Sequence, residues 1–255
     1  MLSFVGGKPF AKITTGAHKD SLVYVTSEDS EETSVKGPKY KRIDLKQNKL
    51  EPVLNPDART VDYVAGPAGA GKSTYASLLA KSFKKLHPKK DVFFFSRTDW
   101  KEDPAYKKIK PVQVRLDQSL VNDPIMIEDI EKGSCIIFDD VNTIHDKNIK
   151  AEVLHIVKDI LEVGRKMNLS IIITSHLISP PERDYARTVL NELQTLTFFP
   201  RGSSAHSIRY VLDTYFGLAK KDIEEILHLP SRWVSIHRNY PNVVFYEHGA
   251  YILWV

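Results

Sequence analysis

Residues 66–74 read Gly66-Pro67-Ala68-Gly69-Ala70-Gly71-Lys72-Ser73-Thr74, and the first eight complete a G-x-x-x-x-G-K-[ST] motif. Before it, Val61, Val64 and Ala65 form a short apolar run of strand character. After it, Lys72 to Lys85 has helical spacing with Leu78, Leu79 and Phe83 on one side. A glycine-rich loop between a strand and a helix is the setting that gives this motif its meaning. Gly66, Gly69 and Gly71 can adopt positive φ and bring the backbone close to an anion, and Ala68 and Ala70 keep the rim small. Amide N–H groups then line a concave site at the positive end of a helix dipole. The expected occupant is a nucleoside triphosphate with Mg²⁺. Gly66 to Thr74 would hold the nucleotide, Lys72 would reach the β- and γ-phosphates, and the Ser73 hydroxyl would ligate the metal.

Working outward, strands and helices alternate from Val61 onward. Candidate strands are Val61–Ala65, Val92–Ser96, Val112–Leu116, Cys135–Asp139, Ser170–Ser175 and Leu196–Phe199. The pattern predicts an α/β domain with a mostly parallel central sheet, three layers deep. Ile149, Val153, Ile156, Val157, Ile160 and Val163 mark an amphipathic helix ended by Gly164. Residues 1–60 read as a small β-rich element, with short runs at Phe10–Thr14, Ser21–Thr26 and Lys41–Leu45. These flank an acidic stretch, residues 27–39, expected to be a mobile loop. Residues 61–255 read as the nucleotide-binding domain. Its tail would hold two helices (206–216 and 220–228) and short strands near 233–237, 243–246 and 251–254.

Cys135-Ile136-Ile137-Phe138-Asp139-Asp140 is a buried strand delivering two acids to the C-terminal edge of a parallel sheet. Asp139 would complete the Mg²⁺ shell opposite Ser73, and Asp140 would orient or polarise a water at the γ-phosphate. The next strand ends in Thr174-Ser175-His176 at the same edge, so one of these, His176 above all, could contact the γ-phosphate or the water. Arg165 precedes that strand and is a candidate to stabilise phosphoryl charge across a subunit boundary, with Arg187 and Arg201 as rivals. Lys72 and Asp139 stand 67 residues apart with the Val92–Ser96 strand between their own. Together with the second acid, this resembles the branch of phosphate-loop ATPases that activates water rather than the branch of nucleotide kinases, and the resemblance implies hydrolysis over transfer to a small acceptor.

Composition sets the outer bounds. A chain of 255 residues suffices for one sizeable domain, and a single cysteine excludes an internal disulfide. No apolar stretch approaches the ~20 residues that span a bilayer and no signal-peptide segment opens the chain, so a soluble, intracellular protein without membrane insertion is expected. Net charge is +4, yet residues 81–110 hold ten Lys or Arg against four acids. That cluster is either a nucleic-acid footprint or a solvated helix end and loop.

The series GPAGAGKST, CIIFDD and GRKMNLSIIITSH, in that order, resembles the FtsK-HerA superfamily of DNA-pumping ATPases, and most of all the genome-packaging ATPases of large DNA viruses. The resemblance covers roughly residues 61–200. It implies an additional-strand, RecA/FtsK-like P-loop NTPase fold and a homo-oligomeric ring that hydrolyses ATP and threads double-stranded DNA. Capsid or portal proteins would be partners, and the host-cell cytoplasm, a viral factory or the virion the location. His176 stands where the superfamily usually has Gln, and Lys166 where it often has His. The alternatives are a nucleotide or polynucleotide kinase, and a nucleotide-switched assembly or remodelling ATPase.

Overall fold

The structure is a computed structural model that describes residues 1–26, 38–238 and 241–253. The chain divides into two compact units, Pro56–Leu193 and a second formed jointly by Met1–Asn55 and Gln194–Val255. Most of the acidic stretch expected to be a mobile loop, and the end of the last expected strand at Trp254, lie outside the described residues.

The jointly formed unit begins with five short strands: β1 (Leu2–Ser3), β2 (Lys8–Ile13), β3 (Leu22–Val25), β4 (Arg42–Asp44) and β5 (Leu50–Pro52). Four of them make an antiparallel sheet in the order β1-β3-β2-β5. Alternation decides its buried face, because Val23 and Val25 of β3 point inward while Leu22 and Tyr24 are half-buried.

The unit Pro56–Leu193 carries the phosphate loop. Its strands β6 (Val61–Ala65), β7 (Val92–Ser96), β8 (Val112–Arg115), β9 (Cys135–Phe138) and β10 (Ser170–Ser175) are parallel, in the spatial order β6-β10-β9-β7-β8. Every residue of β6, β9 and β10 is buried, so these strands are covered on both faces, as near-continuous apolar runs demand. Helices α1 (Lys72–Leu86), α2 (Gln118–Asn122), α3 (Lys147–Glu162) and α4 (Arg183–Glu192) supply the cover. The connection from β6 through α1 to β7 crosses the sheet in one direction, and that from β9 through α3 to β10 in the other. Right-handed crossovers therefore put α1 and α3 on opposite faces, giving the three expected layers. On α1, Leu79 and Phe83 are buried as the spacing predicts, joined by Tyr75, Ala76 and Ala80, while Leu78 is only half-buried.

The strand β11 (Thr195–Phe198) belongs to the jointly formed unit, where it pairs antiparallel with β12 (Val234–His237). Between them come α5 (Ala205–Phe216) and α6 (Lys220–Leu227); β13 (Asn242–Tyr246) and β14 (Gly249–Leu253) complete an antiparallel run in the order β4-β14-β13-β12-β11. Glu247 and His248 form the two-residue turn between β13 and β14. Its carbonyls accept hydrogen bonds from the N–H groups of Leu50 and Leu45 at 2.8 Å, which fastens residues 45–50 to the tail. Phe10 against Phe245, at a centroid separation of 5.2 Å, joins the same two segments in the core. Residues 1–55 and 194–255 thus form one body, where the sequence suggests a division at residue 60.

The end of α3 explains one glycine. Arg59 donates to the carbonyls of Ile160 and Leu161 at 3.1 and 3.0 Å, adding a side-chain donor at the helix end, where the Ile160 carbonyl also accepts from the Gly164 N–H at 3.1 Å. A Cβ at Gly164 would come within 2.3 Å of the Ile160 carbonyl oxygen and 3.1 Å of Arg59 Nη1. Gly164→Ala is expected to cost about 1–3 kcal/mol of stability, as overpacking against backbone does, read from the shift in a denaturant midpoint.

Candidate nucleotide and metal site

The phosphate loop leaves β6 at Gly66, whose N–H donates to the Ser175 carbonyl of β10 at 2.9 Å. Gly69 (φ 74°) and Gly71 (φ 116°) are both left-handed, and a Cβ at Gly69 would meet nothing within 4 Å. The loop is thus held open by backbone conformations that glycine adopts without strain, with free space where an anion would lie. Ala70 closes a tight turn on the Pro67 carbonyl (3.2 Å), and Tyr75 N–H bonds to Gly71 to start α1. Within this cradle Ser73 is half-buried, Ala68 and Thr74 are exposed, and Lys72 is only 7 % exposed.

The Lys72 amine lies 3.6 Å from Asp140 Oδ1 and 3.5 Å from the Pro67 carbonyl oxygen. Asp140 meets a second partner on its other oxygen. Oδ2 is 3.0 Å from His176 Nε2, a distance at which the Nε2–H tautomer donates. Asp140 also has φ 47° and ψ 44°, a left-handed conformation unusual for a non-glycine residue and concentrated at functional sites. Its N–H donates to Thr174 Oγ1 at 2.9 Å.

Asp139 follows β9 directly. Thr174 Oγ1 donates to its Oδ1 (3.0 Å) and Ser96 Oγ to its Oδ2 (3.3 Å). Burial, reinforced by the neighbouring Asp140 charge, pushes the Asp139 carboxyl up to about 6, with the Thr174 and Ser96 hydrogen bonds opposing. A carboxylate held this dry favours a cation beside it. Among the described residues no group of three or more His, Cys, Asp or Glu could hold a metal by itself. Ser73 Oγ and Asp139 offer hard oxygens, which suit Mg²⁺ when phosphate and water complete the shell. The residues present therefore fit a magnesium–triphosphate group.

The three polar candidates at the end of β10 divide their tasks. Thr174 is committed to the two acids, and Ser175 Oγ donates to Asn142 Oδ1 (3.2 Å), which also accepts from the His176 N–H (3.2 Å). The His176 ring is turned to Asp140 Oδ2. β10 lies between β6 and β9, so the loop, the acids and His176 converge on one sheet edge. This intervening strand is the additional strand that the motifs imply. Arg165 is not brought to this site: it is exposed in the turn before β10, and its own chain's acids follow the opposite ends of the strands. Arg187 lies exposed on α4, and Arg201 belongs to the other unit. The basic cluster is also split. Lys84 and Lys85 sit in the last turn of α1, and Lys84 donates to the carbonyls of Pro88 and Lys90, whereas Arg97, Lys101, Lys107, Lys108 and Lys110 are exposed beyond the C-terminal end of β7. Ser96 and Asn142 went unread in the sequence. Ser96 had a usable signal, a polar residue ending an apolar strand at the same edge as the acids, while Asn142 had none.

No protein-family model matches this chain. It is 42% identical over 254 residues to the "Uncharacterized protein V3" of Sputnik virophage, covering 98% of this chain and 99% of that one, and it belongs to the same family as V3. Similar solved structures include the genome packaging NTPase B204 from Sulfolobus turreted icosahedral virus 2 in complex with ATP-γS. That structure is 12% identical over 76% of this chain and 93% of its own, with TM-score 0.47. The pCW3 conjugation coupling protein TcpA is 13% identical over 94% and 77%, with TM-score 0.49. The cytoplasmic domain of the Thermomonospora curvata Type VII secretion ATPase EccC is 16% identical over 83% and 29%, also with TM-score 0.49. At such identities these are likenesses of fold.

Thr174 is the hinge of the acid pair, accepting from one residue and donating to the other. Thr174→Val should lower stability by about 1–3 kcal/mol because it strands a buried N–H and a buried carboxylate oxygen. Thr174→Ser should restore most of that loss in the same denaturation measurement.

Proposed function

We propose that this member of the V3 family is a magnesium-dependent ATPase that drives double-stranded DNA during viral genome packaging, working as a ring of identical subunits. The observation that carries the ATPase reading is the Asp140 carboxylate, fixed between Lys72 at 3.6 Å and His176 at 3.0 Å beside an open amide cradle. Loop amides and the start of α1 bind the triphosphate. Lys72 exchanges Asp140 for the β- and γ-phosphate oxygens, which frees one carboxylate oxygen. That oxygen accepts a hydrogen bond from water and aims it at the γ-phosphorus, with His176 holding the other oxygen still. Ser73 and Asp139 would hold Mg²⁺, which when bound would neutralise charge developing on the phosphate oxygens.

Two further observations support the DNA reading. The order of the three motifs is that of DNA-pumping ATPases, and Arg97 and Lys101 are exposed just past the C-terminal end of β7, the strand end at which Ser96 meets Asp139, with the exposed Lys107, Lys108 and Lys110 following in the same connection. Arg165, remote from its own chain's acids, would act only on a neighbour's nucleotide.

The purified chain should release phosphate from ATP faster when duplex DNA is added, at concentrations that permit assembly. Equal rates with and without DNA would remove the translocase reading, and transfer of γ-label to an acceptor would replace it with a kinase. Lys72→Ala should abolish or greatly weaken nucleotide binding. Asp140→Asn should keep binding and lose about 10²–10⁴-fold in turnover, the usual worth of a positioned base. Lys107→Ala with Lys108→Ala should weaken DNA binding and flatten its dependence on log salt by about two, one for each phosphate no longer neutralised.

A further inference from the structure

Tyr106 belongs to none of the motifs and lies in the connection between β7 and β8. Its side chain is fully buried, with the ring packed on Phe94 at a centroid distance of 4.7 Å. The hydroxyl at its tip has no hydrogen-bond partner. A buried donor left unpaired costs about 1–3 kcal/mol, and such an atom in a native fold calls for an explanation. Phenylalanine would fill the same space without that cost.

The surroundings of the hydroxyl supply the explanation. Ser73 faces it without closing a hydrogen bond, and the charges of Asp139, Asp103 and Asp140 act on it. A phenol carries its proton at neutral pH, so toward an anionic oxygen it can only be a donor. None of the nearby carboxylates takes up that donor. Asp139 is bonded by Thr174 and Ser96, Asp140 lies between Lys72 and His176, and Asp103 Oδ1 accepts from the Ala105 N–H at 2.9 Å. The unpaired donor therefore stands at the Ser73–Asp139 end of the cradle, where a metal-bound triphosphate would bring oxygens that lack a protein donor.

We propose that Tyr106 is a ligand-contacting residue of the nucleotide site, whose hydroxyl donates a hydrogen bond to an oxygen of the bound magnesium–triphosphate group. The assignment rests on the ATPase reading of that site. It adds a contact from the β7–β8 connection to those from the phosphate loop and from the ends of β9 and β10. A hydrogen bond from a buried neutral donor to a charged oxygen is of the strong kind.

Tyr106→Phe tests this by two measurements that a structural hydroxyl and a ligand-contacting one move in opposite ways. Thermal unfolding of the ligand-free chain should be unchanged or raised, since the variant removes an unpaired buried group. Calorimetric affinity for Mg²⁺–ATPγS should fall about tenfold. A fall that persists with ATPγS in excess EDTA places the contact on phosphate, and one confined to Mg²⁺ places it on metal-bound water; both support the proposal. A lowered ligand-free midpoint with wild-type affinity would make the hydroxyl structural, and affinity within twofold of wild type would likewise overturn the assignment. Wild-type chain that fails to bind Mg²⁺–ATPγS would instead sink the ATPase reading itself, a result that the variant is not needed to obtain.

Discussion

A lysine amine buried to 7 % exposure needs an opposite charge beside it, and Lys72 finds it in Asp140. Removing one member of such a pair strands the other in a dry site, which costs far more than the pair itself contributes. The pair therefore demands that two segments 68 positions apart in the chain reach the same few ångströms. Parallel pairing satisfies the demand: β6 and β9 run the same way with β10 between them, so their C-terminal ends share an edge. A triphosphate can replace Asp140 as the counter-charge to Lys72. The buried cation is satisfied in both states, while the carboxylate is engaged in one and free in the other.

The parts of this arrangement legible in the sequence were those fixed by local chemistry. β6, β7 and β10 have the expected boundaries, and α1 begins at the expected lysine, because apolar runs ending at glycine or a polar residue admit few alternatives. The acids and His176 were legible for the same reason, Asp139 and His176 sitting one step past a strand and Asp140 two. What escaped depends on long-range pairing. The antiparallel pairing of β12, β13 and β14 with one another and with β11 leaves no trace in the period of any one strand. The grouping of residues 1–55 with the tail was hidden likewise, since it is carried by contacts such as Phe10 with Phe245, over 200 positions apart.

Charge was the least reliable guide. Residues 81–110 look like one basic surface when read in order, but β7 carries the chain from one edge of the sheet to the other in their midst. Lys84 and Lys85 before it sit at the carbonyl end of α1, whereas Arg97 and Lys101 after it follow the strand end that carries the acids. A linear count adds charges that the strand separates. Gly164-Arg165 makes the same point: its glycine answers to the Arg59 cap on α3, whatever the neighbouring arginine does.

The β7–β8 connection is the element in which the two halves of the proposed activity meet. A motor must let a change at the γ-phosphate alter its grip on the track, and this requires an element with a stake in both. Tyr106 is buried with its hydroxyl toward Ser73 and the acids, while Lys107 and Lys108, the next residues in the chain, are exposed. Successive residues cannot move independently, because Ile109 and Lys110 both donate to the Tyr106 carbonyl, at 2.9 and 3.1 Å, and tie the exposed lysines into the same turn. A shift of the phenol on gaining or losing a phosphate oxygen would thus be passed to the lysines through covalent geometry and two hydrogen bonds, without any rearrangement of the sheet.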